Sequence, residues 1–141
     1  MAIVGGAGNP VGGSFTGPAE ALEIIGDHGY AYNNTPANTT AATVMKFTSG
    51  NYYWVGTFQV NMGMDFTTRA DVISIAQLTM NGGVISIISC GNSTPDAPTF
   101  VHQKIIIPPY TEVEITAKAD QNEADRLITI GLTGRIYRTR D

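Results

Sequence analysis

Few side chains in this 141-residue sequence have the types and spacing that catalysis needs. The two histidines, His28 and His102, are far apart and neither belongs to an HxxxH or HxH pair. A cupin-type metal site would need several closely placed histidines and a carboxylate, so each histidine reads as a surface or strand residue. Cys90, the lone cysteine, sits between Ser89 and Gly91 with no histidine nearby in sequence, and reads as a buried or loop thiol rather than a nucleophile. Asp120, Asn122, Glu123 and Asp125 gather oxygen ligands into one segment, but without the ordered series and terminal glutamate of a calcium loop they read as an acidic hairpin turn. Gly5, Gly6 and Gly8 precede no Walker lysine and no helix, so they form no phosphate loop. No catalytic, cofactor-binding or metal residue is assigned, and the expectation is a non-enzymatic protein without a cofactor.

The aromatic and basic residues point to binding instead. Tyr52, Trp54, Phe58 and Val60 share one face of a strand, which makes Trp54 a core residue, whereas Tyr53 points the other way. An outward Tyr53, and Tyr110 with it, could stack on a sugar, fill an interface or pack at the rim. Arg126, Arg135, Arg138 and Arg140 cluster near the end of the sequence, diluted by Asp125 and Asp141. They read as solvated strand ends or as a contact with an acidic partner surface. A net charge of −4 argues against binding a nucleic-acid backbone, which relies on clustered lysine and arginine.

The elements that must carry these residues are short strands. Charged residues make up 14% of the sequence against ~25% in typical soluble domains, so threonine, serine and asparagine supply much of the polar surface. Residues 1–18 are Gly-rich with Pro10 and Pro18 and read as an N-terminal arm, either a tail or a segment that orders against a neighbouring subunit; residues 19–141 form a single domain. Ala21 to Ile25 is a short apolar piece ended by Gly26-Asp27, and Tyr30 to Tyr32 continues it. Only Pro18 to Glu23 has helical propensity. Asn33 to Thr40 is expected to be a loop. Ala42 to Thr48 and Tyr52 to Asn61 are expected to be strands joined as a hairpin by Ser49-Gly50-Asn51, and Asp71 to Met80 and Val84 to Ser89 to form a hairpin around Asn81-Gly82-Gly83. A loop with Pro95 and Pro98 leads to a strand from Phe100 to Ile107, stopped by Pro108-Pro109.

The last two strands alternate cleanly. Val113, Ile115 and Ala117 oppose Glu112, Glu114 and Thr116, and Ile128, Ile130, Leu132 and Ile136 oppose Thr129, Thr133 and Arg135. Gly131 and Gly134 are read as interrupting the polar face, where a bulge or a neighbouring backbone comes close. Roughly eight strands at this spacing predict an all-β, two-sheet antiparallel sandwich, favoured as a jelly roll. Val84 to Ile88 and Lys104 to Ile107 break the alternation and put aliphatic groups on both faces, which makes their outer faces candidates for burial against another subunit. No signal peptide and no apolar run of membrane-spanning length is recognised, and the absence of a disulfide framework fits synthesis in a reducing cytoplasm.

Three segments, Gly26-Asp27-His28-Gly29-Tyr30-Ala31-Tyr32, Phe47-Thr48-Ser49-Gly50-Asn51-Tyr52-Tyr53 and Ile107-Pro108-Pro109-Tyr110-Thr111-Glu112-Val113, resemble small virion proteins of tailed bacteriophages. So does the run Leu132-Thr133-Gly134-Arg135-Ile136-Tyr137, beyond which this chain continues through Arg138 to Asp141. The resemblance is to jelly-roll capsid decoration, or cement, proteins. It implies a homotrimer on the virion surface, the major capsid protein of a tailed phage as partner, synthesis in the host cytoplasm, and no catalysis, nucleic acid or membrane. It supplies no residue-level binding site. The reading from a different class is a carbohydrate-binding module or phage adhesin that uses outward aromatics.

Overall fold

A computed structural model describes residues 22–64, 72–92 and 100–138. Nine strands lie in these residues: β1 (Glu23–Ile25), β2 (His28–Ala37), β3 (Ala42–Thr48), β4 (Tyr52–Met64), β5 (Val72–Met80), β6 (Gly83–Asn92), β7 (Phe100–Ile107), β8 (Glu112–Ala119) and β9 (Glu123–Arg138). The expected arm over residues 1–18, the helical propensity of Pro18 to Ala21 and the loop with Pro95 and Pro98 fall outside the described residues.

The strands form two antiparallel sheets, ordered β1-β2-β9-β4-β7 and β3-β8-β5-β6. Within them β2 pairs with β9, β3 with β8, β4 with β7 and β5 with β6. These nested pairs fall alternately in one sheet and the other, so the chain is one long antiparallel ribbon rolled around its own core. That connectivity is a jelly roll, with the β4·β9 and β5·β8 pairings completing each sheet.

Alternation fixes what each sheet buries. Trp54, Phe58, Val60, Ile107, Ile128, Ile130 and Leu132 of the first sheet face Met45, Leu78, Val113 and Ile115 of the second, and all are fully buried. The last-strand isoleucines therefore meet Val113 and Ile115 across the core. Two shifts of register explain where alternation fails. Between Thr43 and Met45 the β3·β8 ladder skips Val44, so Val44 and Met45 are both buried in succession. Across from Leu78 and Thr79 the partners jump from Ser86 to Val84, leaving Ile85 extra, and Val84 and Ile85 are both exposed.

The Asn81-Gly82 turn joins β5 to β6 as expected, with positive φ at both residues (51° and 84°), the conformation a two-residue hairpin turn demands. Strand β7 ends at Ile107, where Pro108 and Pro109 begin. Three expectations are corrected. Asn33 to Ala37 is not loop but the second half of β2, because those residues pair with Ile130 back to Glu123 on β9. Pro36 is tolerated there because β1 covers only His28 to Tyr30, so the other side of the strand is an edge that needs no donor.

Ser49-Gly50-Asn51 is not a hairpin turn either, since β3 and β4 lie in different sheets. Ser49 is buried: its hydroxyl donates to Pro108 O (2.7 Å) and accepts from Thr111 N (2.9 Å), and the Tyr110 amide donates to Gly50 O. The crossover is thus tied to the β7–β8 loop. Finally, Gly134 lies on the inward face rather than the polar one. Gly29, Gly134 and Gly56 sit side by side on β2, β9 and β4 and form a flat floor under the Trp54 indole, whose Nε1 donates to Gly29 O (2.9 Å). A Cβ on Gly134 would lie 2.4 Å from Val55 O and 2.6 Å from Gly56 Cα, so the ring and the two backbones leave room only for hydrogen.

Candidate assembly surface

Register places the outward side chains in rows. Across the outer face of the first sheet run His28–Arg135–Val55–Ile106, then Tyr30–Thr133–Thr57–Lys104, then Tyr32–Gly131–Gln59–His102. Beyond the first of these rows Tyr53 lies opposite Tyr137. Ile106, Val55, Tyr53 and Tyr137 are therefore neighbours, and all are exposed, Ile106 to 56%. Lone exposed apolar groups are ordinary, but adjoining ones on paired strands make a patch.

The outer face of the second sheet has its own patch. Its rows run Lys118–Ile75–Ser89, Thr116–Gln77–Ile87 and Glu114–Thr79–Val84. Ile73, Ile75, Val84, Ile85 and Ile87 are all exposed, Ile87 to 61%. The β6 strand, Gly83–Asn92, carries no charged residue. It is an edge strand, and the charges that normally protect an edge are missing. By contrast Lys46 stands on edge strand β3 and Lys104 on edge strand β7.

The two patches converge. Strands β6 and β7 are the edges of opposite sheets on the same side of the sandwich, joined by a hydrogen bond from the Ser86 hydroxyl to Gln103 Oε1. Val84 to Ile87 follow the β5–β6 turn, while Ile106 and Tyr53 flank the β7–β8 loop and the β3–β4 crossover. Those three connections lie together at one end, where Asn81 N donates to Glu112 O, Ser49 N to Thr111 O and Tyr110 N to Gly50 O. Tyr110 projects from that end, 66% exposed, with its backbone in the left-handed region (φ 55°), a conformation uncommon for an aromatic residue. One corner of the molecule thus presents aliphatic and tyrosyl groups on both outer faces.

The residues that could do chemistry are dispersed or occupied. His28 and His102 lie on β2 and β7, three strand spacings apart across the sheet and four residues apart along it, about 20 Å in all. His28 Nε2 is 3.6 Å from Asp27 Oδ1. Asp27 also binds the Arg135 guanidinium, and that hydrogen bond holds the Asp27 carboxyl below the usual carboxylate range. Cys90 is buried on β6. Asp120 Oδ1 accepts from Ile73 N (3.0 Å) and Asn122 Oδ1 from Thr39 N (2.9 Å), so one oxygen ties the β8–β9 turn to β5 and the other ties it to the β2–β3 loop. The side chains of Glu123, Asp125 and Arg126, and residues Gly5, Gly6, Gly8, Arg140 and Asp141, fall outside the described residues. Among the described residues no group of three or more histidine, cysteine or acidic side chains is placed to hold a metal ion. Of the arginines, Arg135 is ion-paired and Arg138 lies over the Tyr52 ring, 5.8 Å from its centroid.

Tyr53 faces outward, as its strand position predicts, and Trp54 is fully buried. The patch residues that the sequence reading did not single out include Val55, outward on the strand of Trp54, Tyr137, which follows the last inward isoleucine, and Ile73 and Ile75, outward on a strand whose inward positions include Ser74 and Ala76.

No protein-family model matches the sequence, and no curated protein matches it. Among solved structures the chain is similar to part of the infectious bursal disease virus Gx strain structure, with TM-score 0.47 and 11% identity over 85% of this chain and 33% of that one. It is also similar to the T13 IBDV viral particle, with TM-score 0.46 and 8% identity over 80% and 32%. A third likeness, to dimeric latent PorU from Porphyromonas gingivalis, has TM-score 0.38 and 12% identity over 86% and 14%. This chain spans about a third of the viral chains and less of PorU.

Proposed function

We propose that the protein is a non-enzymatic virion structural protein, a capsid decoration subunit that binds the outer capsid surface of a tailed phage as a homotrimer. The observation that carries this reading is the uncovered apolar corner: Ile85, Ile87, Val55, Ile106 and Tyr53 stand exposed on a sandwich whose own core is already closed. Apolar surface of this kind gains free energy only when another surface covers it. The sequence resemblance to cement proteins names the kind of assembly. A symmetric oligomer attaches through several weak contacts at once, so it needs avidity rather than a pocket.

Co-sedimentation of the purified protein with capsids lacking it tests the reading. Binding that saturates at a copy number matching the capsid lattice is the expected result, and a protein that stays in the supernatant at micromolar concentration refutes it. The exposed tyrosines Tyr53, Tyr110 and Tyr137 favour a second reading, a glycan-binding module, since aromatic rings stack on sugar faces. Retention on a glycan array without capsid binding is the outcome that selects it.

A further inference from the structure

We propose that residues 17–21 complete the hairpin that β1 begins, pairing along the outer edge of β2 in the same chain, so that the rest of the N-terminal arm leaves the sandwich at the end opposite Tyr110.

The two sides of this hairpin are unequal. β1 pairs only with His28 to Tyr30, whereas β2 runs on to Ala37. Among the described residues no strand lies on the outer side of Ala31 to Ala37. The chain still follows that edge at Leu22, one residue before β1. Leu22 is buried, and the β1·β2 register carried one step further sets it opposite Ala31, which is buried too. The same register sets Ala21 opposite Tyr32, Ala19 opposite Asn34 and Gly17 opposite Pro36.

Backbone parity decides whether such a ladder can form. The turn between β1 and β2 consists of Gly26 and Asp27, with positive φ at Gly26 (61°) and not at Asp27. That is a II′ turn, which makes Ile25 and His28 a hydrogen-bonded pair. Even-numbered residues of β2 therefore turn their backbone groups outward, and odd-numbered ones turn them toward β9. Asp27 O accordingly accepts from Ile136 N on β9 (2.7 Å), and Asn34 N donates to the neighbouring Asn33 Oδ1 (2.9 Å), a local substitute that a ladder can replace. On the arm the residues that turn toward β2 are Ala21, Ala19 and Gly17, and each has an amide to give. Pro18 has none, but its nitrogen faces away from β2, and Pro36 can still accept from Gly17. A slip of one residue would turn Pro18 against β2 and lose that bond. The completed edge is also protected, because Pro18 and Glu20, on the inward side with Leu22, both discourage a further strand.

The II′ turn holds this segment beside its own edge, and that gives pairing within the chain a concentration advantage over an arm arriving from another copy. β2 ends beside the β2–β3 loop and the β8–β9 turn, which are tied by Ala119 N to Asn38 O and by Thr39 N to Asn122 Oδ1. An arm that follows β2 departs there, whereas Tyr110 and the Asn81-Gly82 turn stand at the other end.

Amide hydrogen exchange of the full chain, resolved by residue with NMR, tests the ladder. The amides of Ala19 and Ala21 should exchange at least about tenfold more slowly than those of Glu20 and Leu22, with Tyr32 protected as well. Such alternation marks an edge strand, because a helix over Pro18 to Glu23 would protect consecutive amides. Equally rapid exchange at Ala19, Glu20 and Ala21, or equally slow exchange at all three, overturns the proposal. A Pro18→Cys, Thr35→Cys variant tests which chain supplies the strand. These positions form a non-hydrogen-bonded pair, whose Cβ atoms lie ~4.5–5.5 Å apart, close enough for a disulfide after a small adjustment. Cys90 is buried and stays out of the reaction. Oxidation, thiol blocking and a non-reducing denaturing gel should show a cross-linked monomer. A band of dimer size overturns the pairing within one chain, and so does a variant that folds, by circular dichroism, without cross-linking. If the variant does not fold, exchange in the wild type still decides the ladder. Both readouts are independent of capsid binding.

Discussion

Gly134→Ala should destabilise the domain although alanine is normally the better residue inside a strand, by ~0.5–1 kcal/mol over glycine. The added methyl group would lie 2.4 Å from Val55 O, 2.6 Å from Gly56 Cα and 2.9 Å from Trp54 Cε2. Two of those atoms belong to the β4 backbone, which the paired ladder with β9 holds in place, so the ring and the strand must both shift. Overpacking of this kind costs ~1–3 kcal/mol. Displacing the indole also strains its buried hydrogen bond to Gly29 O, and a buried polar group left unsatisfied costs ~1–3 kcal/mol. After the intrinsic gain is set against these, the net loss is about 1–5 kcal/mol, a large part of the ~5–15 kcal/mol of a whole domain. Urea unfolding followed by the fluorescence of Trp54, the single tryptophan, reads it as a lower midpoint at unchanged slope. Gly83→Ala is the control, because its nearest neighbour is Met80 O at 3.6 Å, and it should leave the midpoint nearly unchanged. A Gly134→Ala midpoint at or above that of the wild type refutes the account of the glycine floor.

Leu132→Ala, at a fully buried position between the sheets, should cost ~2–5 kcal/mol, whereas the exposed neighbouring Thr133→Ala should cost little; denaturant melts that reverse this order contradict the facing of β9. The Asp27–Arg135 pair depresses the Asp27 carboxyl, so its stabilising effect is present above the unfolded carboxylate range near pH 4 and is lost as pH falls through the lower folded value. Because both side chains are exposed the effect is small, and Asp27→Asn should slightly lower the melting temperature at pH 7 and match the wild type near pH 2, which flattens the loss of melting temperature on acidification; a variant as stable as the wild type at pH 7 and less stable near pH 2 contradicts this sign. Cys90, buried on β6, should react with a thiol reagent only as fast as the domain opens, so that native protein labels slowly and urea-unfolded protein at once; equal rates would place the thiol at the surface.

What could be read in the sequence was whatever is encoded between near neighbours. The period-two alternation of Glu112 to Ala117 and Leu127 to Ile136, the positive-φ turn at Asn81-Gly82 and the Pro108-Pro109 stop are local, and each appears in the structure at its expected place. The same locality marked Val84 to Ile88 and Lys104 to Ile107 as two-faced and Tyr53 as outward, which was much of the candidate surface.

Locality also misled. Asn33 to Ala37 has the composition of a loop, yet it is a strand because β9 offers it a ladder. Ser49-Gly50-Asn51 has the chemistry of a hairpin turn, yet a serine buried against Pro108 and Thr111 makes it a crossing between sheets. The sequence alone determined an all-β chain, most of its strands and which side chains of each strand face in. Tertiary structure alone decided the rolled strand order, the glycine floor under Trp54 and the meeting of the two apolar flanks at one edge. The reason is physical: alternation records which face of a strand is dry but carries no information about the strand beside it. Partners such as Gly29 and Gly134, or the edges β6 and β7, are chosen by how the whole ribbon closes over its core.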